Sequence, residues 1–205
     1  MSTDNSFSIA DDLPEDWSDA KSFADLRYLT DCYVQGELDT SPEYLGPIDE
    51  ETAPIANFLC FYNDFGYLTL SSQPGVPLDE EGYAQRAYVE LMSPAESVYR
   101  LVSALSASHY VTIVRGAHEP QDSVMRVTIG NPSHTTSVGG VDENTIERLK
   151  NGNATLDQQL ESCLYVTVVD PLWGTNMMWP DLCAAVRGAT IPQRIGTMTD
   201  IPSFL

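Results

Sequence analysis

Apolar residues recur at the 3.6-residue helical period in two stretches of the first third of the chain. They predict a helix over residues 19–35, with Gly36 as its stop. A second helix follows Asp49, which we expect to cap it, and a loop rich in proline and glycine over residues 37–49 separates the two. The apolar faces are formed by Phe23, Leu26, Leu29 and Tyr33 in the first helix and by Ile55, Phe58, Leu59 and Tyr62 in the second.

The most specific local signal is the stretch Ser93-Pro94-Ala95-Glu96. A serine followed three residues later by glutamate is a capping box, and proline is favoured at the first helical position. The sequence therefore predicts a helix over residues 94–107. Shorter helices are predicted over residues 142–150 and 179–187, and residues 155–162 either extend the former or form a second helical turn.

Five strands are predicted from alternating or β-branched segments. They cover residues 67–72, 84–91, 110–115, 124–129 and 163–169. A polar turn between the third and fourth strands predicts a hairpin. The fifth is apolar on both faces and is therefore expected at the centre of the sheet. The order of elements predicts the α+β class: a single mixed, mostly antiparallel sheet of about five strands, with helices packed on it.

The chain has 205 residues, the length of one domain. Residues 1–18 form an acidic N-terminal lead-in that Trp17 is expected to dock on the body. Residues 19–188 form the single α+β domain, and residues 189–205 form a C-terminal tail. The first residues contain no basic start and no apolar stretch, so no secretory signal is expected.

Charge narrows the classes of function. The chain carries 30 acidic and 10 basic side chains, and 14 of the acidic ones lie within its first 51 residues. With only two lysines, Lys21 and Lys150, direct nucleic-acid binding is not expected, because that affinity comes from Lys and Arg contacts with phosphates. A basic membrane-binding patch is excluded for the same reason. The charge suits a basic partner or a divalent cation, although solubility alone would also account for it.

The sequence lacks the motifs of several kinds of catalytic and ligand-binding site. The chain has neither a nucleotide-binding glycine motif nor a G-x-S-x-G elbow, and its histidines, His109, His118 and His134, are not at helical metal-ligand spacing. No metal site and no cofactor are therefore predicted. The four cysteines contain no C-x-x-C pair and are expected as buried free thiols, which suits the cytoplasm. They are Cys32, Cys60, Cys163 and Cys183.

Two loops at predicted strand ends form a candidate ligand pocket. One is Ser71–Gly75, and the other is Asp170–Gly174 at the end of the central strand, where α/β sheets often place ligand groups. The candidate pocket residues are Gln73, Arg86, Asp170 and Trp173. The alternative is structural: Asp170 caps the following turn and Trp173 fills the core.

The stretch from Gly66 to Gly75, followed by Gln85-Arg86-Ala87, resembles the core of an uncharacterised family of small actinobacterial and phage proteins. Residues 44–52 and 169–174 share the resemblance, which covers about residues 20–185. It implies no catalytic activity and marks the same four pocket residues as positions to test. A more distant similarity is to acidic α+β immunity proteins that neutralise toxins.

The expected function is that of a non-enzymatic acidic binding or inhibitor protein. Its partner would be a basic nuclease, toxin, nucleic-acid-handling or defence protein, and in the sharpest form the chain mimics DNA. Alternatives are the small-ligand (nucleotide or metabolite) or catalytic pocket, and a structural or virion-associated component. The oligomeric state is left open. The expected partner-binding residues are Asp11, Asp12, Glu15, Asp16, Asp19, Glu43, Asp49, Glu50 and Glu51.

Overall fold

A computed structural model describes residues 15–116, 119, 122, 124–130, 135–140 and 143–193. Its strands are β1 (Leu68–Gln73), β2 (Ala84–Pro94), β3 (Val111–Gly116), β4 (Met125–Arg126), β5 (Thr128–Ile129), β6 (Ser137–Val138) and β7 (Cys163–Trp173). The main sheet has the order β1–β2–β7–β3, with β5 on the start of β2, and all of its pairs are antiparallel. A second sheet consists of β4 and β6.

The helices surround this sheet. They are α1 (Phe23–Val34), α2 (Ala56–Asp64), α3 (Ala95–Leu105), α4 (Glu143–Leu149), α5 (Ala154–Ser162) and α6 (Met178–Val186), with short 3₁₀ turns at Trp17–Asp19 and Ala53–Ile55. The predicted α+β class, with a mostly antiparallel sheet and β7 in its interior, is confirmed. None of the helices in the described ranges is long and apolar enough to span a membrane.

The two faces of the sheet bury different partners. On one face the apolar residues of β2 and β7 pack against α2, α3 and α6. On the other face there are two separate apolar clusters. Met92 and Tyr165 pack with α1, α4 and α5, whereas Tyr88 and Val169 pack with the β4–β6 region. A polar gap therefore separates the clusters on this second face, at the residues between them in β2 and β7.

The predicted hairpin between residues 110–115 and 124–129 is wrong. Strand β3 pairs with β7, while the segment at 124–129 divides into β4, which pairs with β6, and β5, which pairs with β2. Val127 lies between the two short strands, and its amide donates to the carbonyl of Thr136 while its carbonyl accepts from the amide of Arg86. The segment thus bridges two sheets, which a β-branched pattern alone does not reveal.

The predicted capping box is also wrong, although the helix after it exists. Ser93 still belongs to β2, where it pairs with Leu164, and its hydroxyl donates to the carbonyl of Gly66 over 2.8 Å. Helix α3 begins at Ala95 without a side-chain cap. The carboxylate of Glu96 instead accepts from Arg100, one turn along the helix.

The second predicted helix begins later than expected. Asp49 does not cap it: the 3₁₀ turn starts after Thr52 with no side-chain cap, and α2 follows at Ala56. At the start of the described chain, Trp17 does dock on the body, as predicted. Its indole Nε1 donates to the carbonyl of Thr40 over 3.0 Å, and Asn151 Nδ2 donates to the carbonyl of Trp17 over 3.3 Å.

Candidate ligand pocket

An open pocket lies at the β1 edge of the sheet, between β1, α1 and the loop that precedes α2. Its cavity volume is about 90 Å³, which is room for several water molecules or one small organic group. Its walls combine aromatic rings, hydroxyl groups and carboxylates. The polar and aromatic lining residues are Trp17, Thr30, Tyr33, Ser41, Glu43, Tyr44, Asp49, Thr52, Thr69, Ser71 and Ser72.

The roof of the pocket is the segment of residues 41–49, called the roof loop below. Three side-chain contacts hold it on the body. Tyr33 Oη donates to the carbonyl of Gly46 over 3.0 Å, and Tyr44 Oη donates to Ser71 Oγ over 3.3 Å. Arg148, at the end of α4, forms an ion pair with Glu43 over 2.7 Å. The pocket therefore depends on contacts that α1, β1 and α4 each make with the roof loop.

A row of hydroxyl groups runs from the roof loop into the sheet. Ser71 Oγ lies 3.3 Å from Tyr44 Oη and 2.9 Å from Tyr88 Oη. Burial raises the pKa of Tyr44 and, further, that of Tyr88 above the ordinary value for tyrosine. Both phenols are therefore neutral near pH 7, and the row can either donate or accept a hydrogen bond.

The charge of the lining is negative. Glu43 and Asp49 lie in the walls, and the lining residues include no Lys, Arg, His or Cys. One oxygen of Glu43 accepts from Arg148, and the other is buried with no hydrogen-bond partner among the residues that the structure describes. A phosphate group would face carboxylates here, so the lining suits a neutral or positively charged organic molecule.

The four predicted pocket residues lie elsewhere, beside one another at the far end of β1, β2 and β7. Gln73 Nε2 donates to the carbonyl of Arg86 over 2.9 Å, and the Arg86 guanidinium lies 4.1 Å from the ring centroid of Trp173. Burial lowers the pKa of Arg86, which the charge of Asp170 opposes. None of the four lines the open pocket, so their ligand role stays a prediction.

The contacts of Asp170 correspond to the structural alternative, in which its side chain caps the turn that follows. The side chain is fully buried; Oδ1 accepts from the amide of Leu172 over 3.0 Å, and Oδ2 accepts from the hydroxyl of Thr175. His109 Nε2 lies 3.5 Å from Oδ1. Trp173 is half-buried and does not fill the core as that alternative expected, because it belongs to β7 and lies under Arg86.

The predicted partner-binding carboxylates divide into three groups. Asp11 and Asp12 lie outside the described residues. Glu43 is half-buried in its ion pair with Arg148, and both Glu43 and Asp49 line the pocket. The exposed members are Glu15, Asp16, Asp19, Asp49, Glu50 and Glu51. Hydrogen bonds from Ser18 lower the pKa of Asp16, which accepts from both its amide and its hydroxyl.

Sequence reasoning missed the roof loop tyrosine Tyr44 and the half-buried carboxylate Glu90. Glu90 had a signal: it lies two residues after Tyr88, on the same face of the predicted strand, and a charged residue is unusual on a face that packs against other elements. Tyr44 had none, because its role depends on the loop folding back over β1. No group of three or more His, Cys, Asp or Glu in the described part of the chain is arranged to hold a metal ion.

The fold and the pocket define an α+β domain with a candidate small-molecule site. The chain belongs to a family described as a domain of unknown function, DUF6919, which matches residues 12–189. The predicted membership of an uncharacterised family is thereby confirmed, while the actinobacterial and phage setting stays a prediction.

A second similarity is partial. The chain is 29% identical over 108 residues to methylenetetrahydrofolate reductase 2 of Saccharomyces cerevisiae. The match covers 47% of this chain and 18% of the reductase, so the chain spans less than a fifth of the length of this relative.

Proposed function

We propose that the open pocket at the β1 edge binds a small organic metabolite. The observation that carries the proposal is the pocket lining, in which aromatic, hydroxyl and carboxylate groups surround a cavity of about 90 Å³. Three aromatic rings, Trp17, Tyr33 and Tyr44, offer faces for packing, and the hydroxyl groups around them offer both donors and acceptors. Such a mixture of apolar surface and a few directed polar groups is typical of ligand sites.

The partial similarity gives this proposal some support. The yeast relative is named as a reductase of methylenetetrahydrofolate, which is a small organic molecule. Because the chain spans 18% of that relative, we carry over only the handling of a small organic molecule and propose no reductase activity.

Replacing Tyr44 with alanine tests the pocket. The protein incubated with a low-molecular-weight cell extract is expected to retain a small molecule in native mass spectrometry. Y44A should weaken retention about tenfold, because it removes one aromatic wall and the bond to Ser71. Tyr99, an exposed tyrosine on α3, provides the matched control Y99A. Equal retention by the two variants, or no retained molecule in the wild type, would count against the pocket.

A second proposal is the acidic binding protein expected from the sequence, for which an exposed side chain in the roof loop gives a specific reason. Leu45 is 95% exposed and lies in the same loop as Asp49, just before Glu50 and Glu51. An apolar side chain beside exposed carboxylates complements a partner that carries both basic and apolar groups. In one form of this proposal, the chain acts as a DNA mimic and blocks the nucleic-acid site of a nuclease or toxin.

Charge neutralisation at matched surface positions tests this second proposal. With an oligoarginine peptide as the probe, Glu15→Gln with Glu50→Gln should weaken association roughly fivefold at low salt. Glu96→Gln with Glu147→Gln removes the same charge from α3 and α4 and should leave the affinity unchanged. If both pairs weaken binding equally in isothermal titration, the charge acts only as a diffuse field, and the surface is not a specific one.

A further inference from the structure

The polar gap on the second face of the sheet contains a half-buried carboxylate. Glu90 lies in β2 between Tyr88 and Met92, each of which belongs to a separate apolar cluster. In the register it pairs with Thr167 of β7 on one side and with Ser71 of β1 on the other. Carboxylates are rarely buried in the interior strands of a sheet unless they are paired with a cation.

The contacts of Glu90 hold it in place but do not neutralise it. Oε1 accepts from the amide of Gly139 over 3.2 Å and from Thr167 Oγ1 over 3.3 Å. Within the described ranges no Lys or Arg side chain forms an ion pair with it. Burial raises the pKa of Glu90, its two hydrogen bonds lower it, and the negative charge of Glu43 raises it further.

Glu90 does not itself line the pocket, but it pairs with Ser71, a residue that does. Directly paired residues of antiparallel strands have Cβ atoms about 5 Å apart and point to the same face. Ser71, the β1 partner of Glu90, lines the pocket and bonds to the phenols of Tyr44 and Tyr88. The charges of Glu43 and Glu90 both raise the pKa of Tyr44, so both carboxylates lie near its phenol.

We propose that Glu90 is the specificity-determining residue of this pocket and that it selects a small organic molecule with a positively charged group. This inference rests on the proposed function of the pocket. A cation placed beside Ser71 would offset the charge of Glu90, whereas an anion would be repelled by it. The ion pair would form only in the complex, so the free protein carries a half-buried charge that its ligand neutralises.

The amide of Gly139 gives a direct reporter because it donates to Glu90. The probe is tetramethylammonium chloride, with uncharged tert-butanol for comparison, titrated at constant ionic strength and followed by amide NMR. In the wild type the cation should shift the Gly139 resonance saturably, and tert-butanol should not. Glu90→Gln should lose the saturable shift, and Glu90→Asp should retain it with weaker affinity.

Glu96→Gln, which removes the same charge from an exposed side chain on α3, should behave as the wild type. Thermal unfolding supplies a second readout. The amide side chain introduced by E90Q keeps an acceptor for Gly139 and Thr167 but removes the half-buried charge, so this variant should melt at the wild-type temperature or about 2–4 °C above it. A purely structural carboxylate would instead make E90Q melt lower.

Three results would overturn the inference: an unchanged titration in E90Q, equal shifts with the cation and tert-butanol, or a lower melting temperature of E90Q. A wild type that retains a metabolite from cell extract while E90Q retains it equally well refutes the role of Glu90 alone. A wild type that retains none and shows no shift refutes the pocket as well.

Discussion

Replacing Gly75 with alanine is expected to destabilise the protein by about 3 kcal/mol. A Cβ atom at this position would lie 2.1 Å from the carbonyl oxygen of Thr175, which is main chain and cannot turn aside. The side chain of Asn176 holds the two loops at this distance by bonding to both the amide and the carbonyl of Gly75. Its Oδ1 accepts from the amide of Gly75 over 2.8 Å, and its Nδ2 donates to the carbonyl of Gly75 over 2.9 Å.

The measurement is urea unfolding followed by tryptophan fluorescence. G75A should lower the midpoint without changing the slope, because native contacts are lost while the unfolded chain is the same. Gly46 is the matched control, since a Cβ there meets nothing within 4 Å. G46A should stay within about 0.5 kcal/mol of the wild type. A midpoint of G75A equal to that of G46A would show that the two loops can separate without cost.

Hydrophobic spacing predicted the elements of this fold well, because spacing reports which face of a segment is buried. The face built on Leu59 and Tyr62 is buried as expected, and β7 is interior as its apolar run indicated. Spacing failed where a residue has a distant partner. The sequence around Ser93 matches a capping box, but its hydroxyl donates to the carbonyl of Gly66 instead. The four residues of the motif give no indication of this distant partner.

The sequence revealed only part of what forms the pocket, for a similar reason. Ser71 and Ser72, from the loop named as a candidate site, line the pocket, whereas Gln73 does not. The pocket, however, requires the roof loop to cover β1, and bonds between residues far apart in sequence hold it there. The bond from Tyr33 to Gly46 and that from Tyr44 to Ser71 depend on the tertiary fold and leave no periodic signal.

Replacing Asn63 with leucine should cost about 3 kcal/mol at pH 7. Asn63 is fully buried and joins three elements. Its Oδ1 accepts from the amide of Thr69 in β1 over 2.9 Å, and its Nδ2 donates to Asp31 Oδ1 in α1 over 2.7 Å. Leucine has the same number of side-chain heavy atoms and the same branching, so the loss comes mainly from a buried amide left without an acceptor and a half-buried carboxylate that loses its amide donor. Asn57→Leu, at an exposed position of α2, is the control and should change stability little.

The pH dependence separates the loss of this bond from a general packing defect. Burial raises the pKa of Asp31 to about 6 from 3.8, and the hydrogen bond from Asn63 opposes that rise. Between these two values the folded state binds more protons than the unfolded state, so the contribution of Asp31 to stability falls as the pH increases from about 4 to 6. Without Asn63 the pKa rises further and the fall extends to higher pH. The difference in unfolding free energy between wild type and N63L should therefore be larger at pH 7.5 than at pH 4.5, and a constant difference would contradict the assignment.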